Sequence, residues 1–205
     1  MYNTTAIILA GGRSSRMGSE KAFLPWREYT IIEFLISRLT PIFDHIMVVT
    51  KRPDKFIGLP AKIVEDEFPE YAALVGLYSG LKATQTETNL VIPCDMPLIP
   101  SALVMEMGAI SMRYEAVILE RADHERIPFP GYYHRSLLPA LAAAIHQKEF
   151  GITRFLKDCV AHVLPESAWK YLDPDGHAVI NLNTREEYRE AYILAGEHRE
   201  HLRAQ

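Results

Sequence analysis

The chain has 205 residues, of which 48% are hydrophobic, and this is enough to build one sizeable core. A net charge of −4 without a basic stripe argues against nucleic acid as a partner. The two widely separated cysteines, and the lack of any apolar run near the roughly 18 residues of a membrane helix, predict a cytoplasmic protein without framework disulfides and without a membrane partner.

Strands and helices alternate along the first half of the chain. Apolar runs rich in β-branched residues predict strands, and apolar residues spaced three and four apart predict helices. In chain order we expect a strand at 4–10, a helix at 30–43, strands at 45–50 and 61–65, a helix at 70–84 and a strand at 89–95. Thr30 and Glu33 form a T-x-x-E capping box at the start of the first helix, and Gly76 and Gly80 weaken the second.

The second half continues the alternation with less regular strands. A helix at 101–112, with Ser101 as its N-cap, precedes a strand at 114–120. The polar segment 120–131 contains two prolines and is the best loop candidate, followed by a short strand that Pro130 interrupts at its start. We then expect helices at 136–147 and 151–159, a weak strand at 161–164, a turn and an extended run at 173–183, and a last helix capped by Thr184 and Glu187.

This alternation predicts an α/β fold with a mostly parallel sheet. Parallel strands bind ligands beyond their carboxyl ends, near the point where the strand order reverses. Residues that directly follow the predicted strands are therefore the first candidates for a functional site.

The stretch LAGGRSSRMGSEK, residues 9–21, follows the first strand and combines glycines with cations. Gly11 and Gly12 allow a positive φ and a close approach of the backbone to a ligand, so that successive N–H groups can face one anion. Arg16, Lys21 and a further arginine add donors that suit phosphate oxygens. The stretch is neither a Walker A loop nor a G-x-G-x-x-G motif, and an ordinary glycine-rich turn is the alternative.

Two aspartates follow other predicted strands. Asp95 ends the fourth strand within VIPCDMPLIP and can project into the crevice at the sheet edge. Because Mg²⁺ is usually held by one or two carboxylates plus substrate phosphates, one aspartate near a phosphate loop is sufficient. Asp66, within VEDE, could accept a hydrogen bond from a base or ribose, or it could help to position a metal. The alternative for Asp95 is an aspartate that caps the turn, and the alternative for Asp66 is a solvated acidic loop.

Asn181 and Asn183 alternate along an extended segment and should therefore face the same side. Two amide side chains in this arrangement suit a polar ligand such as a pterin, and turn-forming asparagines before a helix cap are the alternative. Ser14 and Ser15 have no neighbouring base in the sequence to activate them, so we expect no enzyme nucleophile.

The motifs LAGGRSSRMGSEK, VED, PCDMPLIP and INLNT, in this order, resemble those of the molybdenum cofactor guanylyltransferase family. The resemblance implies a single Rossmann-like nucleotidyltransferase domain over residues 1–205 with helices on both faces of the sheet. Its N-terminal half would bind nucleotide and its C-terminal half molybdopterin. The implied reaction converts GTP and Mo-molybdopterin into the guanine dinucleotide cofactor and pyrophosphate, with Mg²⁺ as cofactor. Molybdoenzyme apoproteins or other cofactor-biosynthesis proteins are the further partners that the resemblance allows.

The resemblance also assigns roles to individual residues. Catalysis would fall to Lys21, Arg16 and Asp95, with Asp95 also holding Mg²⁺, and it would consist of positioning and electrostatic stabilisation. Substrate binding would involve the nucleotide-contacting residues Leu9, Ala10, Gly11, Gly12, Lys21, Asp66 and Asp95, and the pterin-contacting residues Asn181 and Asn183.

Two other functions stay open at this point. Cytidylyl transfer from CTP to molybdopterin is the first, although relatives with that activity usually read LAAG where this chain has Gly11 and Gly12. A non-catalytic molybdopterin carrier is the second, and the presence of both Lys21 and Asp95 argues against it. The segment AALVG, residues 72–76, departs from the GPLAG of many relatives and affects a loop near the nucleotide.

Overall fold

The structure is a computed structural model that describes residues 4–12 and 21–203. Its main sheet contains β1 (Thr5–Leu9), β4 (His45–Thr50), β5 (Lys62–Glu65), β6 (Thr88–Pro93), β7 (Ala116–Glu120), β8 (Arg126–His134) and β9 (Ala161–Pro165). These seven strands lie in the order β5-β4-β1-β6-β8-β7-β9. Two further strands, β2 (Pro25–Trp26) and β3 (Tyr29–Thr30), form a separate small hairpin that the sequence did not predict.

The sheet is mostly parallel, as predicted. β1 pairs in parallel with β4 and β6, β4 with β5, and β7 with β9. Only β8 runs antiparallel to its two neighbours, β6 and β7. The carboxyl ends of β5, β4, β1 and β6 therefore meet at one edge of the sheet, and this edge carries the candidate site.

The helices are α1 (Ile31–Leu39), α2 (Ala73–Ala83), α3 (Ser101–Ser111), α4 (Leu138–His146), α5 (Ile152–Phe155), α6 (Glu166–Trp169) and α7 (Arg185–Arg203). Both predicted capping boxes are confirmed, with Thr30 and Glu33 at the start of α1 and Thr184 and Glu187 before α7. The predicted Ser101 cap is wrong, because Pro100 occupies the N-cap position of α3 and makes no side-chain cap bond. None of the helices in the described parts of the chain has the length and apolar character needed to cross a membrane.

Helices cover both faces of the sheet. On α2, a Cβ added to Gly80 would lie 2.6 Å from the Cγ2 atom of Ile7, so the helix packs directly onto β1. On α3, a Cβ at Gly108 would lie 2.8 Å from the hydroxyl of Tyr132. Through the register of β8, β6 and β1, Tyr132 lies on the same face as Ala6. Because Ala6 and Ile7 are adjacent in a strand and point to opposite faces, α2 and α3 lie on opposite sides of the sheet.

The predicted loop at 120–131 is wrong for residues 126–131, which belong to β8, whereas the short strand expected around Pro130 is confirmed as part of β8. Prolines argue against an interior strand, since they cannot donate to the ladder. Here β8 pairs with β7 at residues 126–127 and 132–133, and with β6 at residues 131–134. Pro128 and Pro130 fall in the gap between these paired stretches, where the register shifts, so their missing N–H groups cost no ladder bonds.

The core is divided into two parts. The larger part fills the space between the sheet and its helices, and the smaller part, here called the small core, consists of Trp26, Ile31, Leu98, Leu182 and Ala191. The small core joins the hairpin β2–β3 to the start of α1 and to α7. It therefore connects the residues just after the glycine-rich loop with the C-terminal segment.

Candidate active site

A cleft of about 400 Å³ lies at the carboxyl ends of β1, β4, β5 and β6. The residues of the predicted nucleotide site that line it are Leu9, Ala10, Gly11, Gly12, Lys21, Asp66 and Asp95. Arg16, the remaining predicted catalytic residue, lies outside the described residues. The strand-end rule therefore located the site correctly, while the roles of these residues stay predictions.

At the end of β1 the backbone is still hydrogen-bonded to residues of, or next to, both neighbouring strands, β4 and β6. The Ala10 N–H donates to the Val49 carbonyl at 2.8 Å, and the Leu9 carbonyl accepts from the Cys94 N–H at 2.9 Å. Gly11 and Gly12 do not use the positive φ that glycine allows, because both residues keep φ outside the left-handed region. A Cβ at Gly12 would meet no atom of the described residues within 4 Å, so the glycine leaves open space above the backbone.

Lys21 joins two distant parts of the chain at the edge of the cleft. Its Nζ lies 3.1 Å from Oδ2 of Asp95, directly after β6, and donates to Oδ1 of Asn183 at 2.7 Å. The side chains of Lys21 and Asp95 are 16% and 21% exposed, so both can contact a ligand in the cleft. The structure thus places a cation and a carboxylate where a phosphate loop and a metal-binding aspartate were predicted.

Asn181 and Asn183 lie outside the residues that line the cleft. Both are exposed, whereas Leu182 between them is buried, which agrees with the predicted alternation, although these residues belong to no strand. The Leu182 N–H donates to the Asp95 carbonyl at 2.9 Å and fixes this segment against the end of β6. Asn183 therefore contacts Lys21 from a segment that is fixed next to the end of β6 but does not line the cleft.

Asp66 is held by a network that the sequence did not reveal. Its side chain is only 5% exposed, with Oδ2 3.2 Å from Nζ of Lys51 and Oδ1 accepting from the Ser79 hydroxyl at 3.0 Å. Lys51 also donates to the Phe68 carbonyl, and its Nζ lies 5.1 Å from the ring centroid of Tyr71. Because the Asp66 side chain is buried and paired, it is not part of a solvated acidic loop, which was the alternative interpretation of VEDE.

Lys51 directly follows β4, so the rule that pointed to Asp66 and Asp95 could also have identified it. Tyr71 and Ser79 carried no such signal. Tyr71 lies in the connection between β5 and α2, and Ser79 is a buried residue within α2. Their proximity to Asp66 depends on how α2 packs on the sheet.

Cys94 precedes Asp95 but is not suited to act as a nucleophile. Burial, together with the neighbouring carboxylate of Asp95, raises the pKa of the Cys94 thiol far above its ordinary range. The thiol therefore stays protonated at neutral pH, and the thiolate is the reactive form. Cys94 is therefore best described as an unreactive thiol.

The residues present fit a metal ion only in combination with substrate. Among residues 4–12 and 21–203, no group of three or more His, Cys, Asp or Glu side chains could hold a metal ion. Asp95 lines the cleft and offers the hard oxygen that Mg²⁺ prefers. Mg²⁺ commonly keeps several waters and binds through one or two carboxylates plus substrate phosphates, and this site fits that pattern.

Comparisons with known proteins identify the family of the chain. A family model described as the MobA-like NTP transferase domain matches residues 6–165, which is more than half of the chain. The chain belongs to the MobA-like NTP transferase family. This membership confirms the predicted family and makes the protein a nucleotidyltransferase.

Individual relatives match over nearly their whole length. The molybdenum cofactor guanylyltransferase of Syntrophotalea carbinolica is 32% identical over 186 residues, covering 90% of this chain and 88% of the relative. A probable molybdenum cofactor guanylyltransferase of Chloroflexus aggregans is 33% identical over 201 residues, covering 92% and 94%. The crystal structure of molybdopterin-guanine dinucleotide biosynthesis protein A from Archaeoglobus fulgidus has a TM-score of 0.82 at 20% identity, covering 94% and 99%, and this confirms the fold.

Proposed function

We propose that this protein transfers GMP from GTP to the phosphate of Mo-molybdopterin, forming the guanine dinucleotide cofactor and releasing pyrophosphate. The observation that carries the proposal is the position of Lys21, which lies 3.1 Å from Asp95 and 2.7 Å from Asn183. A cation beside a carboxylate at a strand-end cleft suits a triphosphate. The names of the relatives from Syntrophotalea and Chloroflexus supply the identity of the nucleotide and of the acceptor.

The order of the strands supports one orientation for the nucleotide. Asp66 follows β5 and Asp95 follows β6, and β4 and β1 lie between these two strands. Three strand spacings amount to roughly 14 Å, a distance that an extended nucleoside triphosphate can span. With Lys21 at the β6 end, the phosphates would lie beside Lys21 and Asp95, and the base would lie toward Asp66.

The reaction requires no covalent intermediate with the enzyme. An oxygen of the molybdopterin phosphate would attack the α-phosphorus of GTP in line, and the bond from this phosphorus to the β-phosphate would break to release pyrophosphate. Lys21, and Arg16 by the family resemblance, would offset the negative charge on these phosphates. The backbone from Leu9 to Gly12 would contact the nucleotide, and Asp66 would bind its nucleoside end. Mg²⁺ held by Asp95 and the phosphates would supply further charge neutralisation.

The pterin substrate would bind on the other side of Lys21. Asn181 and Asn183 are exposed and lie outside the lining of the nucleotide cleft, in the C-terminal half of the chain. Their amides would bind the polar pterin, while the N-terminal half would bind the nucleotide. Because Asn183 contacts Lys21, the acceptor phosphate would arrive close to the cation that binds the triphosphate.

The direct test is a transfer assay with purified protein, Mg²⁺, Mo-molybdopterin and either GTP or CTP. We expect pyrophosphate release that requires both GTP and the pterin, together with a guanine dinucleotide product identified by mass spectrometry. Preferential use of CTP would establish cytidylyl transfer instead. Binding of the pterin without pyrophosphate release from any nucleotide would establish a carrier.

A further inference from the structure

We propose that the ring of Tyr71 is the surface on which the base of the bound nucleoside triphosphate stacks, and that Lys51 is the positioning residue of this ring. The inference rests on the proposed function, because it describes the base-binding end of the same cleft. It concerns two residues for which neither the motifs nor the family resemblance predicted a role.

Tyr71 combines exposure with a place in the cleft wall. It lies in the connection between β5 and α2, lines the cleft together with Gly11 and Asp66, and is 53% exposed. A large aromatic ring exposed inside a cleft can bury its apolar surface when a flat ligand packs against it. Nucleic acid bases stack readily on aromatic side chains, since every base has a π-face.

Lys51 holds the segment that carries Tyr71. Its Nζ lies 3.2 Å from Asp66, donates a hydrogen bond to the Phe68 carbonyl, and lies 5.1 Å from the centroid of the Tyr71 ring. The Lys51 side chain is only 13% exposed, so these contacts are largely shielded from water. One ammonium thus ties the connection between β5 and α2 to the end of β4 at three points, and a ring positioned in advance loses less freedom when a ligand binds.

The position of Tyr71 relative to the phosphate end identifies the part of the ligand it contacts. Lys21 and Asp95 lie after β1 and β6, whereas Lys51 and Asp66 follow β4 and β5. Tyr71 contacts Lys51 and is therefore on the side of the cleft away from Asp95. A triphosphate bound at Lys21 would direct its nucleoside end toward this ring.

The test compares ligands that share the triphosphate but differ in the base or lack it. Binding of GTP, CTP, ATP, UTP and inorganic triphosphate, each with Mg²⁺, is measured by calorimetry for the wild type, Tyr71→Ala and Tyr71→Phe. We expect Tyr71→Ala to weaken the best-bound nucleoside triphosphate about tenfold, while inorganic triphosphate binds unchanged and Tyr71→Phe stays close to the wild type. Tyr171→Ala is the matched control, because Tyr171 is 68% exposed and is not among the residues lining the cleft.

The role of Lys51 is tested by coupling it to Tyr71. Lys51→Met should weaken nucleotide binding, Lys51→Arg should retain most of it, and adding Tyr71→Ala to Lys51→Met should cause little further loss. The positioning role would be overturned if Lys51→Met weakened the binding of nucleotide and of inorganic triphosphate equally. It would also be overturned if the losses of binding free energy in the double variant were fully additive. Circular dichroism of each variant shows whether the fold is intact, and Lys51→Arg keeps the test valid if Lys51→Met does not fold.

The same measurements separate this inference from the proposed function. If the wild type transfers GMP and Tyr71→Ala binds GTP as tightly as the wild type, only the inference about Tyr71 is overturned. If another nucleotide is preferred but its binding depends on Tyr71, the inference stands and the proposed guanylyl transfer is overturned. If no nucleoside triphosphate binds the wild type, both are overturned.

Discussion

Lys21→Ala is the substitution that tests the proposed active site most directly. The Lys21 ammonium lies 3.1 Å from Asp95 and is 16% exposed, so it can form a charge-assisted contact with a phosphate in the cleft. Such a contact contributes about 1.5–3 kcal/mol. We therefore expect kcat/KM for GTP to fall by a factor of about 10 to 150.

The same substitution also changes the charge that the triphosphate meets. Without Lys21, the Asp95 carboxylate loses its nearest described cation and repels the phosphates more strongly, which adds to the loss. Attraction of Mg²⁺ to Asp95 should not weaken, because the competing ammonium is gone. The expected signature is a large loss in GTP use without a higher Mg²⁺ requirement, and only a small change in thermal stability, since the pair is partly exposed.

The assay is steady-state pyrophosphate release at varied GTP, with saturating pterin and Mg²⁺. Lys170→Ala is the control, because Lys170 also forms an ion pair, 2.9 Å from Glu166, but is 63% exposed and is not among the residues lining the cleft. The double variant of Lys21 and Asp95 should lose less than the sum of the single losses, because the two groups act as a unit. A Lys21→Ala enzyme with wild-type kcat/KM for GTP would refute the assignment of Lys21 to the phosphates.

Three further predictions follow from the structure. Thr30→Ala removes the capping box with Glu33 and should lower the free energy of unfolding by about 0.5–2 kcal/mol in denaturant titrations. The side-chain and backbone hydrogen bonds from Thr30 lower the pKa of Glu33. The difference should therefore be largest above the ordinary glutamate pKa and shrink as the pH falls through the lowered pKa, and a difference that does not change with pH would contradict this. Gly80→Ala places a Cβ 2.6 Å from Ile7, and an overpacking cost of about 1–3 kcal/mol should outweigh the helix-propensity gain of about 1 kcal/mol and lower the denaturation midpoint. Asn183→Ala should raise KM for the pterin more than KM for GTP in steady-state kinetics, and equal increases would argue against a pterin role.

The parallel strands could be predicted because their composition is distinctive. Strands buried on both faces are short continuous apolar runs, and β1, β4 and β6 have this character. The sequence predicts only the end of β8, because Pro128 and Pro130 suggest that its first part is a loop. Only the register shown by the structure reveals that residues 128–130 fall between the paired stretches of that strand.

The site was predictable to the extent that its residues follow strands. Asp66 and Asp95 carry this local signal, and the structure places both at the cleft. The hydrogen bond from Ser79 to Asp66 carries no such signal, since Ser79 belongs to α2 and reaches Asp66 only because α2 packs closely on the sheet. Gly80, predicted as a weak point of α2, is in fact what permits that close packing against Ile7.

The C-terminal segment contacts the candidate active site for a reason that follows from packing. The match to the family model ends at residue 165, yet Asn183, which meets Lys21, lies beyond that point. Leu182 next to it and Trp26 of the hairpin are both completely buried in the small core. The distance between Lys21 and Asn183 is therefore set by two anchored neighbours as well as by their own hydrogen bond. The nucleotide and the pterin are proposed to bind on opposite sides of this contact. By holding Lys21 and Asn183 together, the small core would therefore fix how the pterin phosphate approaches the triphosphate of the nucleotide.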